Sequence, residues 1–247
     1  MKSTAQRISV LLAAYCGEHY LEAQLDSILP QLGADDELLI SDDSPPEHRA
    51  TWAIARRYAE GDARVRVLEG PRGGVVKNVA FLLGRAQGAL LVLCDQDDVW
   101  LPDKLKRLRE CFADETVLLV VHDARVADEA LRVQAHSFFA AHGSKPGLLQ
   151  NLCRNSFIGC CMALRAELIP VALPFPKNLP MHDQWLGLLA QRHGQVLWLD
   201  EPLILYRRHE GALTGQKTGL AQKLLWRLQI GTALLLRSKN STRRRNE

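Results

Sequence analysis

The residues of this 247-residue chain best suited to chemistry are acids and bases placed where apolar runs end. Leu90-Leu91-Val92-Leu93-Cys94 leads into Asp95-Gln96-Asp97-Asp98, so a buried strand would run out on two carboxylates separated by one residue. Such a pair can aim hard oxygens at one Mg²⁺ or Mn²⁺. A cation held there would neutralise charge building on a departing diphosphate. The alternative is a solvated acidic turn that caps a helix beginning near Pro102-Asp103. Asp42-Asp43 ends a second apolar run and fits either a binding role or a turn or helix N-cap. Arg207-Arg208-His209 follows a third run, where arginine suits bidentate phosphate contact and a surface cluster is the competing account. His122-Asp123 could line a substrate, or His122 could be a satisfied core histidine.

These groups need elements to hold them. Ile8-Ser9-Val10-Leu11-Leu12-Ala13-Ala14 has strand length, and Leu21, Leu25, Ile28 and Leu29 then recur at helical spacing. Glu37-Leu38-Leu39-Ile40-Ser41 predicts a second strand, followed by a Pro-Pro break and a helix over about Thr51 to Glu60. Val65-Arg66-Val67-Leu68 predicts a third strand, Val75, Val79, Leu82, Leu83 and Ala86 a helix, and Leu90 to Cys94 a fourth strand. Strands alternating with helices imply a mainly parallel sheet covered on both faces, with ligands outside the carboxyl ends of the strands. Both acidic groups fall at such ends. Beyond 117-121 the rhythm loosens: Cys160-Cys161-Met162-Ala163-Leu164 reads as a strand, a helix follows His182-Asp183, and 196–199 and 203–206 read as two short strands.

Composition narrows the class. Hydrophobic residues make up 47% and charged residues 24%, as in ordinary folded proteins. The net charge of +3 is unevenly spread, because residues 217–247 hold eight Lys/Arg against one acid, leaving residues 1–216 at −4. A body of that sign argues against nucleic-acid binding, whereas a basic tail suits an anionic membrane surface. The six cysteines show neither a C-x-x-C pair nor structural-zinc spacing and read as reduced thiols. Cys160-Cys161 read as buried small hydrophobes. No apolar segment follows Met1 to Arg7 before the first strand and no run approaches membrane-spanning length, so the cytoplasm is the expected compartment.

The residues after the acidic cluster make the pattern specific: Asp95-Gln96-Asp97-Asp98-Val99-Trp100-Leu101-Pro102-Asp103-Lys104 resembles the acidic signature of family-2 glycosyltransferases. The resemblance extends to Ile8 to Tyr15 with Tyr20-Leu21 and Gln24-Leu25-Asp26-Ser27-Ile28, to Ser41-Asp42-Asp43-Ser44, and to Gly74 with Asn78. Asn155 with Gly159-Cys160, His182-Asp183-Gln184-Trp185 and Tyr206-Arg207-Arg208-His209 are similar, in order, to a rhamnosyltransferase-like branch. The resemblance spans roughly residues 7–215. One departure stands out: the family usually has a glycine after the paired aspartates, and this chain has Ser44-Pro45-Pro46.

The resemblance implies an α/β fold: one Rossmann-like nucleotide-diphospho-sugar transferase domain with a mixed central sheet. It would cover residues 1–215, with a donor half at 1–123, an acceptor half at 124–215 and a basic helical tail at 216–247. It implies a metal-dependent, inverting transferase moving a sugar, rhamnose among the candidates, from a dTDP- or UDP-sugar to a cell-surface polysaccharide or lipid-linked glycan. Ala14 and Tyr15 would line the base pocket, Asp43 would bond the pyrimidine and Asp42 would stand close by. Asp95, Gln96 and Asp98 would serve the donor, Asp97 the metal, and Asn78 the donor or merely packing. Arg207, Arg208 and His209 would meet diphosphate or metal from across the cleft. Inversion needs a base for the acceptor hydroxyl, and Asp183 is the matched candidate. The same carboxylate could simply stabilise its helix, by a few tenths to about 1 kcal/mol.

Two rival functions remain. A sugar-phosphate nucleotidylyltransferase would carry a glycine-rich, arginine-containing loop where this chain reads Ala14-Tyr15-Cys16-Gly17-Glu18. A catalytically silent nucleotide-sugar-binding subunit would not need Asp183. In the tail, Leu220, Leu224, Leu228 and Leu235 share a helical face with Leu225 and Leu236 alongside. Lys223, Arg227 and Gln229 lie opposite, and Trp226, Ile230 and Leu234 interrupt that polar side. Peripheral membrane contact and packing on the domain or in a dimer are both open for it.

Overall fold

A near-continuous apolar strand is stable only when both of its faces are covered, and the first strands of this chain are built that way. The computed structural model describes residues 6–209 and 219–243. Its first half runs β1 (Ile8–Ala14), α1 (Leu21–Ile28), β2 (Glu37–Asp42), α2 (Ala50–Gly61), β3 (Val65–Glu69), α3 (Val75–Leu83) and β4 (Leu90–Asp95). Every residue of β2 is buried, and so is all of β1 except Ala13. Leu21, Leu25 and Ile28 of α1 and Val79, Leu82 and Leu83 of α3 join this core.

The second half runs β5 (Val99–Trp100), α4 (Lys104–Cys111), β6 (Val117–Ala127), β7 (Val133–Ala135), α5 (Phe138–His142), α6 (Leu148–Cys153), β8 (Met162–Arg165), α7 (Ile169–Ala172), α8 (His182–His193), β9 (Gln195–Arg207) and α9 (Leu220–Arg243). One sheet collects the strands in the order β3-β2-β1-β4-β8-β6-β9-β5, with β7 beside β6. The block from β3 to β4 is parallel. β8 then inserts antiparallel between β4 and β6, and β5 closes antiparallel on β9. The sheet is therefore mixed, as the resemblance implied. β6 crosses the expected division at 123/124 without a break.

Several local expectations are corrected. The runs at 196–199 and 203–206 are one strand, β9, whose pairing with β6 slips around Asp123 and Pro202. Proline lacks the N–H of a regular ladder and is tolerated at such an irregularity. Cys160 and Cys161 belong to a 3-10 turn, Gly159–Cys161, and the strand begins only at Met162. The acidic cluster does not cap α4: Asp103 precedes that helix with φ 65° and its side chain makes no capping bond.

In α9 two of the three residues expected to interrupt the polar side are the ones that pack. Ile230 and Leu234 are buried in the core. The Arg237 guanidinium donates to Val171 O at 2.9 Å and Leu173 O at 3.0 Å, and Arg227 donates to Cys153 O at 2.6 Å. Long arginine stems lie along apolar surface while their heads satisfy carbonyls, so this face outcompetes the leucine face for the domain. Leu225, Leu228, Leu235 and Leu236 stay exposed. The boundary at 215/216, Arg244-Arg245 and the side chains of Leu220, Lys223, Leu224, Lys239 and Arg243 lie outside the described residues. Among the described residues no helix is long and apolar enough to cross a membrane.

Candidate active site

Parallel pairing of β1 with both neighbours brings separate motifs side by side. Ala14 pairs with Asp42 on one flank, and Ala13 pairs with Asp95 on the other. Three carboxyl ends thus meet at one sheet edge, where open α/β sheets bind ligands. A cleft of about 480 Å³ opens there. It takes Ala14, Tyr15, Asp43 and Asn78 from the first half, Asp95, Gln96 and Asp97 from the turn after β4, and Asp183, Arg207 and His209 from the second half. Asp42, Asp98 and Arg208 are not on its lining.

The loop after β1 is held from two sides. Gln96 accepts from Tyr15 N at 2.8 Å and donates to Tyr15 O at 2.9 Å, a two-bond clamp on one residue's backbone. It fits because residue 17 is glycine: a Cβ there would stand 2.0 Å from Gln96 Oε1. The Tyr15 side chain is left 57% exposed at the rim. On the other side, Ser44 Oγ accepts from Cys16 N at 2.8 Å while donating to Asp42 Oδ1. The departure at Ser44 thus joins two loops, and the Asp42 carboxylate turns back into its own turn.

Asp43 is bound to backbone. Its Oδ1 accepts from Arg72 N and its Oδ2 from Gly73 N and Gly74 N at 3.1 and 2.9 Å, which ties the end of β2 to the entry of α3. Gly74 enters that helix at φ 81°, a conformation glycine adopts without a Cβ clash. A carboxylate has roughly four lone-pair positions, so one remains on Asp43 for a ligand N–H. Asn78 is buried, donating to Ser41 O at 3.0 Å, with an Oδ1 that has no partner among the described residues.

The acidic turn is electrostatically crowded. Burial first, then the charges of Asp97 and Asp183, push the Asp95 carboxyl up to about 7. Asp98 is fully buried and is pushed well above the carboxylate range by burial, Asp97 and Asp95. Its Oδ1 accepts from Arg207 N at 3.0 Å, and its Oδ2 has no partner among the described residues. Beneath them the fully buried Lys104 donates to Cys160 O at 3.1 Å, with its ammonium 4.2 Å from the Trp100 ring centroid. Burial lowers the Lys104 pKa.

From the far side of the sheet edge, His209 Nε2 meets Asp97 Oδ2 at 2.9 Å. The His209 ring also lies against Tyr20, centroids 4.8 Å apart. Arg207 is buried, its Nε donating to Asp97 O at 2.7 Å and its Nη1 to Glu129 O, and its guanidinium sits 4.9 Å from the Tyr20 ring. Tyr20 Oη in turn donates to Glu129 Oε1 at 2.9 Å. Arg207 therefore braces the acidic turn. Arg208 is exposed, its guanidinium 6.0 Å from the Tyr206 ring. Nothing in the sequence around Glu129 marks its place in this group.

The residues fit a hard divalent cation. Burial and neighbouring carboxylates raise the proton affinity of Asp95 and Asp98, one buried Asp98 oxygen is orphaned, and an imidazole approaches Asp97. Asp97 and His209 would hold such an ion. Asp95, Asp98 and Cys160 also cluster, with ligand atoms within 4.8 Å of one another. That second set suits Mg²⁺ or Mn²⁺ poorly, because its surroundings push the Cys160 thiol well up and keep it protonated.

Asp183 enters from the first turn of α8. It is buried, accepts from Gln184 N at 2.6 Å and from Asn155 Nδ2 at 3.3 Å, and burial pushes its carboxyl up to about 6. A carboxylate tuned near neutrality inside a cleft suits general-base work better than helix stabilisation alone. Beside it, burial pushes His182 down to about 4, so this cleft-lining imidazole is neutral at pH 7. Gly159 gives it room, since a Cβ there would stand 2.8 Å from His182 Nε2. His122 lies outside this group as a core histidine, fully buried with Nδ1 2.7 Å from Asp123 O.

The family model described as glycosyl transferase family 2 matches residues 9–169. The dTDP-rhamnosyl transferase RfbG of Shigella flexneri is 25% identical, covering 86% of this chain and 76% of its own length. The UDP-Glc:alpha-D-GlcNAc-diphosphoundecaprenol beta-1,3-glucosyltransferase WfgD of Escherichia coli is 22% identical, covering 85% and 80%. Among solved structures, S. aureus TarS 1-349 in complex with UDP-GlcNAc superposes with a TM-score of 0.72 at 18% identity, covering 92% of this chain and 66% of that one. That last likeness establishes the shared fold.

Proposed function

The chain belongs to glycosyl transferase family 2, and from that premise we propose that it performs inverting transfer of a hexosyl or deoxyhexosyl unit from a dTDP- or UDP-sugar. The acceptor in this reading is a hydroxyl of a cell-surface polysaccharide or lipid-linked glycan. Rhamnose is the donor sugar we favour, because RfbG carries that activity in its name and aligns along most of the chain. WfgD, named for a diphosphoundecaprenol-linked substrate, supports the lipid-linked class of acceptor.

One observation carries the chemical reading: buried Asp183 lines the same cleft as Asp95 and Asp97 and is pushed up to about 6. In the proposed step Asp183 takes the proton of the acceptor hydroxyl. The freed oxygen forms a bond to the anomeric carbon from the face opposite the diphosphate, whose bond breaks and whose oxygen keeps the electron pair. Asp97 and His209 are the residues we assign to a divalent cation, which when bound supplies Lewis-acid neutralisation of the leaving diphosphate. Ala14, Tyr15 and the remaining lone pair of Asp43 would receive the pyrimidine. Asn78 Oδ1 would accept from a donor hydroxyl, and Arg207 would hold the acidic turn in place.

A silent binding subunit is the less favoured reading, since it would have no use for a carboxylate held near neutrality at that position. The test is nucleotide release from a panel of UDP-, dTDP- and GDP-sugars with Mn²⁺ and an oligosaccharide or lipid-linked acceptor. Release of UDP or dTDP that requires Asp183 supports transfer. Binding of a donor without release from any of them would overturn it in favour of the silent module.

A further inference from the structure

α9 presents two faces of different character. The face carrying Ile230, Leu234 and Arg237 is used by the domain. Leu225, Leu228, Leu235 and Leu236 are 48, 61, 64 and 62% exposed, and at 3.6 residues per turn they share a stripe about 100° wide. Four exposed leucines on one anchored helix go beyond the scattered apolar residues of an ordinary surface.

The stripe has a neighbour. Arg227 of α9 bonds to Cys153 O at the end of α6, and α6 exposes Leu149 at 76% together with Leu148. Two residues beyond Cys153, Asn155 bonds to Asp183 and lies 3.9 Å from the sulfur of the exposed Met181. Exposed apolar side chains thus accompany the chain from α9 through α6 to the mouth of the cleft on the Asp183 side.

Charge selects the partner. Residues 130–166, which include all of α6, contain no acid, and Lys145 and Arg154 beside the helix are exposed. Residues 217–247 hold eight Lys/Arg against one acid. Exposed leucines, with exposed Lys145 and Arg154 beside α6 and a segment of basic sequence, complement the interface of an anionic bilayer, where leucines enter the acyl boundary and basic residues meet headgroups. A second copy of the chain would bring the same positive charge against itself.

We infer that the α6 and α9 face docks on an anionic lipid surface and thereby presents the Asp183 side of the cleft to lipid-linked acceptors. The docking rests on this surface alone; its link to acceptors rests on the proposed transfer. The docking is read on the full chain by co-sedimentation with phosphatidylcholine vesicles, with and without phosphatidylglycerol, and nucleotide release from a soluble donor reports the proposed transfer beside it. The unaltered chain is expected to pellet with the phosphatidylglycerol vesicles and to be released by high salt. A variant carrying Leu149→Gln, Leu225→Gln, Leu228→Gln, Leu235→Gln and Leu236→Gln is expected to lose at least about tenfold in vesicle affinity while keeping its Tm and its nucleotide release. Failure of the unaltered chain to pellet, or undiminished pelleting of the variant, would overturn the docking. So would a dimer in size-exclusion chromatography that the five substitutions dissociate and that ignores vesicles. Loss of nucleotide release in the unaltered chain would instead strike the proposed function and leave the docking result standing.

Discussion

His209 Nε2 stands 2.9 Å from Asp97 Oδ2, joining the turn after β4 to the residues that follow β9 across 112 positions of sequence. Both residues line the cleft. Their contact explains why an acidic turn that could have been mere solvated surface is held in one conformation, with Arg207 bonding to the carbonyl of the same aspartate.

If that pair holds the cation, Asp97→Asn and His209→Ala each weaken donor binding in Mn²⁺ by at least about tenfold, or about 1.4 kcal/mol. Neither should change the weak binding measured in EDTA. Calorimetric titration under both conditions checks this, and an Asp97→Asn variant with unaltered Mn²⁺-dependent affinity would remove the aspartate from the site.

Asp183 is asked to do something different. Asp183→Asn keeps the side-chain shape but cannot take a proton, so kcat should fall about 10²- to 10⁴-fold while donor KM stays near its original value. Steady-state transfer kinetics decide the matter, and near-native turnover would assign the base elsewhere.

The same carboxylate predicts a pH profile. Asp183 must be ionised to act and is pushed up to about 6, so log(kcat/KM) should climb as pH rises toward that value and level off above it. The Asn155 hydrogen bond favours the ionised form. Asn155→Ala should therefore move the acid limb to higher pH; a limb that stays put or moves lower would contradict the assignment.

Gln96 is a loop clamp, and its removal should show in both stability and binding. Losing two hydrogen bonds to Tyr15 predicts a destabilisation of about 1–2 kcal/mol for Gln96→Ala. Donor KM should rise with kcat little affected, because the clamp holds cleft-lining Tyr15 and makes no bond to Asp183. Urea denaturation and donor titration read the two effects separately.

Gly187 sets helix propensity against packing. Alanine normally stabilises a helix interior by about 1 kcal/mol over glycine. Here a Cβ would fall 2.4 Å from ring carbons of Phe157, and overpacking costs about 1–3 kcal/mol. Gly187→Ala is expected to lower the Tm, and an increase would show that the Phe157 ring yields freely.

The order of the first-half elements and several of the residues that line the cleft can be read from the sequence. β1, α1, β2, α2, β3, α3 and β4 are legible because each shows a strand or helical period or a continuous apolar run in its sequence. The motif order pointed to Asp43, Asp95, Asp97, Asp183 and His209, all of which line the cleft. β5, β7 and α6, of two, three and six residues, show no period in the sequence, and Pro202 divides β9 into two apolar runs. The surroundings of each carboxylate come from the tertiary structure alone. Parallel pairing sets Asp42 and Asp95 on either side of β1, backbone N–H groups take up Asp43, burial with neighbouring charge raises Asp95 and Asp98, burial alone raises Asp183, and Arg207 goes to carbonyls while Arg208 faces solvent. The choice of packing face on α9 is of the same kind. Sequence lists which groups are available, but their proton affinities and partners depend on distance and on exclusion of water, and both exist only once distant segments are packed together.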